Sequence, residues 1–396
     1  MPGHAEENGN DMRTAVIGAV LLVVGAVAVV TGVLPMQALG ELVERTAPIL
    51  GFVVAVTVVA ELASDAGVFT VVAERAALWG RGRTAVLWLL VVAMAVVSTV
   101  FLSLDTTAVL LTPVVVLLAA HVRVSPLPFA MATVWLANCA SLLLPVSNLT
   151  NLLAQHRLGV EGPFAFAALT VMPALVAAAV PVVILAVRYR RELAGRYSPG
   201  ERTPVTDRVL LTGAGIVVAL LLPALVSGLD VWIPATVAAL ALIVLFALRK
   251  PAALRVSLLP WQLVVFAAGL FVAMEAAHQL GLGAALAVVA GEGSGTLDLL
   301  RLAGSGAVAS NLVDNLPAYL ALEPVAADPL RLVALLIGVN AGPLITPWAS
   351  LATLLWHQRL TALGVHISWR QYALLGLVAV IPTVGGATLA LALVHG

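Results

Sequence analysis

Long apolar runs separated by short polar stretches make up nearly all of this 396-residue chain. Crossing a hydrocarbon core of about 30 Å takes roughly 20 predominantly apolar residues in a helix. We predict membrane spans near residues 13–34, 46–62, 126–157, 163–187, 208–227, 231–248, 261–281, 329–358 and 369–394. The pattern therefore predicts an all-α, polytopic membrane protein.

Two further apolar segments, 84–121 and 296–325, are each interrupted near the middle by a carboxylate, at Asp105 and at Asp314. A charged side chain at the bilayer centre is unfavourable by about 2.5–3.5 kcal/mol on insertion scales, so it is expected to face the protein interior. We predict that each segment is a re-entrant hairpin whose two ends return to the same face of the membrane.

The distribution of basic residues supports this topology. With the N-terminus in the cytoplasm, the predicted cytoplasmic loops and Arg13 hold sixteen of the twenty Lys and Arg residues. An excess of basic residues on the cytoplasmic side is what the positive-inside rule predicts. The C-terminus is then predicted to lie outside.

One stretch of sequence occurs twice. Residues 138–158 and 340–360 align without a gap, and the identical pairs include Asn138 with Asn340 and Pro145 with Pro347. Interrupted apolar segments at matching positions of two halves point to the binding site of a secondary transporter with inverted-topology repeats. We predict a polar tail over 1–12, a first inverted repeat over 13–187, a cytoplasmic loop and connecting span over 188–230, and a second inverted repeat over 231–396.

The broken helices and hairpin tips supply the candidate binding groups. Pro145 lacks an N–H and disfavours helix at the residue before it, so we predict an unwound stretch over 147–151. Unwound backbone within a membrane must line protein or a wet cavity, where hydroxyl, amide and carbonyl groups suit a polar solute. The candidate substrate-binding residues are Ser147, Asn148, Thr150, Asn151, Asn138, Asn340, Thr346, Ser350, Thr353, Thr106, Thr107 and Asn315.

Asp105 and Asp314 are the candidate proton-coupling residues, because a carboxyl group held away from water at a functional site can take up and release protons. The alternative is that each carboxylate caps the half-helix that follows it. The two roles can coexist.

Composition narrows the class of function further. The chain is 62% hydrophobic and 10% charged, with a formal net charge of zero. We therefore expect no nucleic-acid partner. Cys139 is the single cysteine, which excludes disulfides, cysteine-rich metal sites and thiol clusters. We expect no metal site and no cofactor. The chain has no phosphate-binding loop motif, and Asp105 and Asp314 lack the Gly-x-Gly-Asp context of intramembrane aspartyl proteases. We therefore expect a transporter that is not an enzyme.

Four stretches resemble the arsenical pump membrane protein (arsenite permease) family: LPVSNLTNLL, SNLVDNLPAYLALEP, GVNAGPLITPWASLATLLWHQRL and LPWQLVVFAAGL. That family belongs to an ion transporter superfamily with dicarboxylate transporters and sodium/proton antiporters. The resemblance implies two inverted repeats, each with a re-entrant hairpin and a broken helix. It implies export of arsenite and antimonite across a bacterial plasma membrane by proton antiport, through elevator- or rocking-type alternating access.

The resemblance maps the family's hairpin carboxylate to Asp105, and its interrupted-helix serines and asparagines to Ser147, Asn148, Asn151 and Ser350. The chain also departs from some members, which carry Asp at the positions of Asn138 and Asn340 and Asn at that of Asp314.

Several alternatives stay open at this stage. A sodium/proton antiporter would use the same hairpin carboxylates. A dicarboxylate or other small-anion permease is less favoured, because neither broken helix has an arginine near its centre. A soluble arsenite-stimulated ATPase partner and a homodimer are both compatible with the sequence.

Overall fold

The structure is a computed structural model that describes residues 2–160, 162–198 and 204–395, with side chains from residue 14 onward. Its described residues form helices and connecting turns, with one isolated β-bridge. The first half contains α1 (Pro2–Val30), α2 (Met36–Asp65), α3 (Val68–Trp79), α4 (Thr84–Leu102), α5 (Leu104–Thr106), α6 (Thr112–His121), α7 (Leu127–Cys139), α8 (Leu149–Leu158) and α9 (Gly162–Arg188).

Two helices connect the two halves, and they are α10 (Arg190–Leu193) and α11 (Arg208–Leu225). The second half contains α12 (Trp232–Arg249), α13 (Trp261–Gln279), α14 (Leu282–Ala290), α15 (Thr296–Val313), α16 (Asn315–Leu322), α17 (Pro329–Ala341), α18 (Leu351–Ala362) and α19 (Trp369–His395). Within the described residues, eight helices are long and apolar enough to cross a membrane. The predicted all-α, polytopic fold class is confirmed.

The order of elements in the first half recurs in the second. A long helix (α2 or α13) is followed by a short one (α3 or α14), a helix pair with a central break, an interrupted helix and a final long helix. The packing partners also correspond, since α1 packs on α13 while α12 packs on α2, and α4 packs on α7 while α15 packs on α17. The opposite orientation of the two repeats in the membrane stays a prediction.

The two predicted hairpins are helix pairs with sharp breaks. In the first, α4 ends at Leu102 and α5 begins at Leu104, followed by a π-helical turn over Thr107–Leu111 that leads into α6. In the second, α15 ends at Val313 and α16 begins at Asn315. In each pair both arms pack against the short helix that precedes the pair. That both ends of each pair return to one face of the membrane stays a prediction.

Some boundaries differ from the predictions. Residues 2–12, predicted as a polar tail, continue α1. The segment between the predicted span 46–62 and the predicted hairpin 84–121 contains α3, which follows α2 through a turn at Gly67 with φ of 85°. The equivalent turn at Gly281 has φ of 93°. Neither short helix was predicted, because each is shorter than the roughly 20 residues needed to cross a bilayer.

Candidate functional site

The repeated stretch gives the same local structure in both copies. After Pro145, Asn148 adopts an extended backbone (φ −153°, ψ 144°) and caps α8; after Pro347, Ser350 adopts nearly the same conformation (φ −153°, ψ 135°) and precedes α18. The proline in each copy removes one backbone donor, and the extended residue lets a new half-helix begin. Each predicted broken helix is therefore interrupted where the repeated sequence indicates.

The unwound residues lie earlier than predicted. In the first copy the regular α-helix is lost over 140–148, with short 3₁₀ turns at Ala140–Leu142 and Pro145–Ser147. Thr150 and Asn151, expected within the unwound stretch, lie in the first turn of α8. The difference arises because Asn148 itself caps α8, its Oδ1 accepting from the Thr150 amide at 3.2 Å.

Asn340 joins the second half of the chain to the first break. Its Oδ1 accepts hydrogen bonds from Asn148 Nδ2 at 2.9 Å and Thr150 Oγ1 at 2.8 Å. Its Nδ2 donates to Asn151 Oδ1 at 2.6 Å. All four side chains are buried. These predicted substrate-binding groups are thus occupied by one another, in a network that fixes α17 against α8.

The same network satisfies the backbone of the first break. Asn151 Nδ2 donates to the carbonyls of Ser141 at 2.6 Å and Leu144 at 2.9 Å. The Ser147 hydroxyl donates to the Leu144 carbonyl. Unpaired carbonyls are costly in a membrane interior, and these side chains remove that penalty.

Asn311, on the first arm of the second hairpin, organises the second break. Its Oδ1 accepts from the amides of Ile345 at 3.1 Å and Thr346 at 3.0 Å, and its Nδ2 donates to the Gly342 carbonyl at 2.8 Å. The Thr346 hydroxyl donates to the Asn311 carbonyl at 2.8 Å. Gly376 on α19 completes the packing, since a Cβ there would lie 1.8 Å from the Leu344 carbonyl oxygen.

Asn138 occupies the position equivalent to Asn340, but it does not make the corresponding hydrogen bonds. Asn138 donates only to the Val134 carbonyl one turn back, at 3.0 Å. Its Oδ1 is buried without a partner among the described residues, as are Ser350 Oγ and Thr353 Oγ1. In the first copy, the residues that match Ser350 and Thr353 are Asn148 and Asn151, and both bond to Asn340. The two halves therefore differ in hydrogen bonding where Asn148 and Asn151 of the first copy correspond to Ser350 and Thr353 of the second.

The first hairpin breaks at Ser103, two residues before the predicted carboxylate. Ser103 has φ of 104°, and its hydroxyl oxygen caps α5 by accepting from the Thr106 amide at 3.4 Å. The Thr107 hydroxyl lies 2.9 Å from Ser98 Oγ and accepts from Thr99 Oγ1 at 3.0 Å. Asp105 follows the break, is half-buried and makes no hydrogen bond within the described residues.

Asp314 is the break residue of the second hairpin, with φ of 116°. Its Oδ1 accepts from the Leu316 amide at 3.0 Å, which caps α16. The start of α18 lies near the same carboxylate. The capping role is shown for Asp314, whereas Ser103 takes that role in the first hairpin.

The two carboxyl groups lie close enough to interact through space. The first hairpin tip packs against α18, and α4 packs against the Pro145–Ser147 turn. Asn315 and Thr106, beside the two breaks, are buried. The hairpin tips and the broken helices therefore converge on one region, although the predicted binding residues divide between groups that bond to each other and groups that do not.

Sequence reasoning missed two features near this region. Arg45 on α2 forms an ion pair with Glu323, in which Arg45 Nη2 lies 2.8 and 2.9 Å from the two carboxylate oxygens, and Tyr319 donates to the same carboxylate at 3.1 Å. Arg331 is buried and donates to the carbonyls of Gly291, Gly293 and Val325. Both features join residues distant in sequence, and a single sequence carries no signal for such pairs.

An all-helical membrane protein with two interrupted helices and two helix pairs that break within the apolar region has the architecture of a secondary transporter. The chain belongs to the CitMHS family, described as citrate transporter, whose family model matches residues 12–353.

Similar proteins agree with this class. An arsenical pump membrane protein of Yersinia enterocolitica is 30% identical over 376 residues, covering 86% of this chain and 85% of that protein. One of Escherichia coli K12 is 28% identical over 372 residues, with the same coverage of 86% and 85%. The fold resembles the crystal structure of the Alcanivorax borkumensis YdaH transporter, with a TM-score of 0.57, 15% identity and coverage of 97% of each chain.

Proposed function

We propose that this chain exports arsenite and antimonite from a bacterial cell in exchange for protons. The similarity to arsenical pump membrane proteins supports the substrate. The coupling proposal rests on the surroundings of Asp105. Its carboxyl group interacts with Asp314 through space but makes no hydrogen bond within the described residues. Such a group can exchange its proton without breaking a structural contact.

The chemistry of the solute suits the remaining polar groups. Arsenite near neutral pH is mainly an uncharged trihydroxide, which donates and accepts hydrogen bonds. We assign its binding to the region between the hairpin tips and the second break, near Thr106, Asn315 and Ser350. The Asn340 network already occupies the side chains of the first break, whereas Ser350 Oγ is buried without a partner among the described residues. Cys139 is buried and alone, so a thiolate trap that would hold the solute tightly is not available among the described residues.

The packing of the helices supports alternating access. One group contains α1, α2, α12 and α13, which pack on one another, and a second group contains the hairpins, the broken helices, α9 and α19. In our proposal the second group carries the solute and moves relative to the first, by an elevator or rocking motion. A homodimer and a soluble ATPase partner are compatible with this scheme but are not needed for proton-driven transport.

Uptake of labelled arsenite into everted membrane vesicles, driven by an acidic lumen, tests the proposal. We expect Asp105→Asn to lower proton-driven uptake at least about tenfold, a barrier change of roughly 1.4 kcal/mol, while exchange of labelled for unlabelled arsenite persists. Asp230→Asn, at an exposed loop position, is the matched control and should transport normally. Wild-type rates in Asp105→Asn would remove Asp105 from the mechanism.

Asp314 requires two variants, because it also caps α16. Asn is as good an N-cap as Asp, so Asp314→Asn should fold normally, whereas Asp314→Ala should lose about 0.5–2 kcal/mol of stability. If Asp314 carries protons, both variants lose proton-driven uptake. If Asp314→Asn transports at the wild-type rate, Asp314 is a structural cap only.

A carboxylate permease is the second candidate, since the matching family model is described as a citrate transporter. The same vesicles separate the candidates. Uptake of labelled citrate without arsenite uptake would favour the permease. Sodium-dependent proton movement that needs neither solute would favour a sodium/proton antiporter.

A further inference from the structure

A second polar site lies away from the broken helices, at the end of the bundle where α3 passes into α4. The loop 80–83 has the sequence Gly-Arg-Gly-Arg, and the segment 195–197 lies beside it. Arg81, Arg83 and Arg196 line one groove between them, and no acidic side chain lines it among the described residues. All three arginines are exposed.

Backbone contacts fix this groove. The Tyr197 amide donates to the Gly82 carbonyl at 3.0 Å, and the Thr84 amide donates to the Gly195 carbonyl at 3.2 Å. The buried Tyr197 hydroxyl donates to the Ala77 carbonyl at 2.5 Å. A Cβ on Gly80 would lie 2.2 Å from that hydroxyl oxygen, so the loop requires glycine there.

This geometry places like charges opposite each other. Arg83 and Arg196 form an antiparallel β-bridge. The hydrogen bonds run through their neighbours, so the two arginines are a non-hydrogen-bonded pair, the type whose side chains lie closest together. Like charges directly opposite are destabilising. Arg81 adds a third charge from a left-handed backbone (φ 49°). An anion bound between the guanidinium groups would offset this repulsion.

The surroundings indicate an amphipathic anion. The exposed Trp79 lines the groove, and tryptophan is typical of membrane–water interfaces. The candidate span Thr84–Leu102 begins directly after Arg83. Along it, Ala85, Leu89, Ala93 and Val97 are exposed at four-residue spacing, which makes one apolar stripe leading away from the groove.

We propose that this groove binds the headgroup of an anionic phospholipid, with the phosphate held by Arg83 and Arg196 and an acyl chain along the stripe on α4. Guanidinium groups match phosphate oxygens in bidentate geometry, and basic pockets at helix ends on the cytoplasmic side are suited to anionic headgroups. This site is separate from the proposed transport site. It lies on the face that the sequence predicts to be cytoplasmic.

Native mass spectrometry of the purified full-length protein in detergent tests the proposal, with dioleoyl phosphatidylglycerol as the probe and dioleoyl phosphatidylcholine and inorganic phosphate as comparisons. We expect wild-type protein to retain phosphatidylglycerol about tenfold more tightly than Arg83→Gln/Arg196→Gln, a difference of roughly 1.4 kcal/mol. The double variant Arg123→Gln/Arg255→Gln removes the same charge from the same predicted face at exposed positions and should bind like wild type.

A further variant distinguishes loss of binding from misfolding of Arg83→Gln/Arg196→Gln. Arg83→Lys/Arg196→Lys keeps both charges but loses the planar fork, so it should fold and bind with intermediate strength. Equal retention of phosphatidylglycerol by the wild type and the Gln variant would overturn the proposal. So would equal binding of phosphatidylcholine, or binding of inorganic phosphate without phosphatidylglycerol, which would make the groove a site for a soluble anion.

Discussion

A single carboxamide, Asn340, carries much of the connection between the two halves of the molecule. Asparagine offers two acceptor and two donor positions, and Asn340 uses both lone pairs of its oxygen on Asn148 and Thr150. Asn138 occupies the equivalent position in the first half, but its oxygen has no partner within the described residues. Substitutions of Asn340 and Asn138 are therefore expected to have different effects, although the two residues are identical and their positions are equivalent.

We expect Asn340→Leu to be strongly destabilising, because it leaves the buried Thr150 hydroxyl and Asn151 Oδ1 without partners, at about 1–3 kcal/mol each. Asn148 Nδ2 would keep only its 3.4 Å hydrogen bond to Ser141 Oγ. Asn138→Leu should cost less, since it removes one local hydrogen bond and one oxygen that has no partner. Melting temperatures of the two purified variants in the same detergent give the comparison. An equal loss in both variants would mean that Asn138 bonds to a group such as buried water, and that the two sites are alike.

At the scale of elements, the hairpin breaks share a backbone conformation while differing in residue. Ser103 and Asp314 have φ of 104° and 116°, in a region that glycine normally occupies. The apolar pattern predicted each break to within two residues, because a carboxylate interrupts each segment. It missed Ser103 as the break residue, because a serine within an apolar run carries no comparable signal and Asp105 beside it does.

The strained serine gives a test at this scale. Ser103→Gly should stabilise the protein by about 0.5–2 kcal/mol, because glycine relieves the backbone strain and a glycine N-cap loses only a few tenths of a kcal/mol. Ser98→Gly in the regular helix α4 is the control and should destabilise by about 1 kcal/mol or more. Thermal unfolding of both variants measures the difference, and a lower melting temperature for Ser103→Gly would show that the serine cap outweighs the strain.

Asp207 caps α11 outside the apolar region and gives a pH dependence. Its Oδ1 accepts from the amides of Val209 at 2.9 Å and Leu210 at 3.1 Å, and its Oδ2 accepts from Arg249 Nε at 3.1 Å. The Leu210 amide in particular, together with Arg249, holds the pKa of this carboxyl below its usual range. The stabilisation is therefore complete above the unfolded pKa of about 3.9 and is lost as the pH falls through the lower folded pKa.

Asp207→Asn should accordingly melt at a lower temperature than wild type at pH 7, and the difference should shrink as the pH is lowered below about 4. Melting curves from pH 7 to pH 3 check this. The same substitution in an Arg249→Gln background should have a smaller effect at pH 7. A difference that does not change with pH would mean that the charge of Asp207 contributes nothing.

The candidate site shows which features a single sequence can predict and which it cannot. The repeat at an offset of 202 residues located both broken helices, and the prolines at 145 and 347 marked their interruptions. The partners of the polar side chains were not predictable, because they depend on how α17 and α15 pack against other elements. The bond between Asn340 and Asn148 was not predicted, and Asn311 was not singled out although it holds the second break.

At the scale of the whole molecule, the ion pair between Arg45 on α2 and Glu323 after α16 is a polar contact between the two groups of helices. If the hairpins move relative to α2 during transport, this pair must separate in each cycle. Removing one partner of a buried ion pair is strongly destabilising, whereas the pair as a whole adds little net stability, so it fixes relative position more than it stabilises the fold. Separation of Arg45 from Glu323 would therefore report movement of the hairpins relative to α2. The orientation of the repeats needs a separate test.

The single buried cysteine makes that orientation measurable. In a Cys139→Ala background, a membrane-impermeant maleimide on intact cells should label Ser227→Cys and Ser294→Cys but not Arg123→Cys or Lys250→Cys, all of which are exposed positions. Everted vesicles should show the reverse. Arg123 follows the first hairpin and Ser294 precedes the second, so opposite labelling of these two positions is what inverted repeats require, since each hairpin then enters from a different side. Labelling of both from the same side would mean parallel repeats, and the shared access of Asp105 and Asp314 to both sides of the membrane would lose its structural basis.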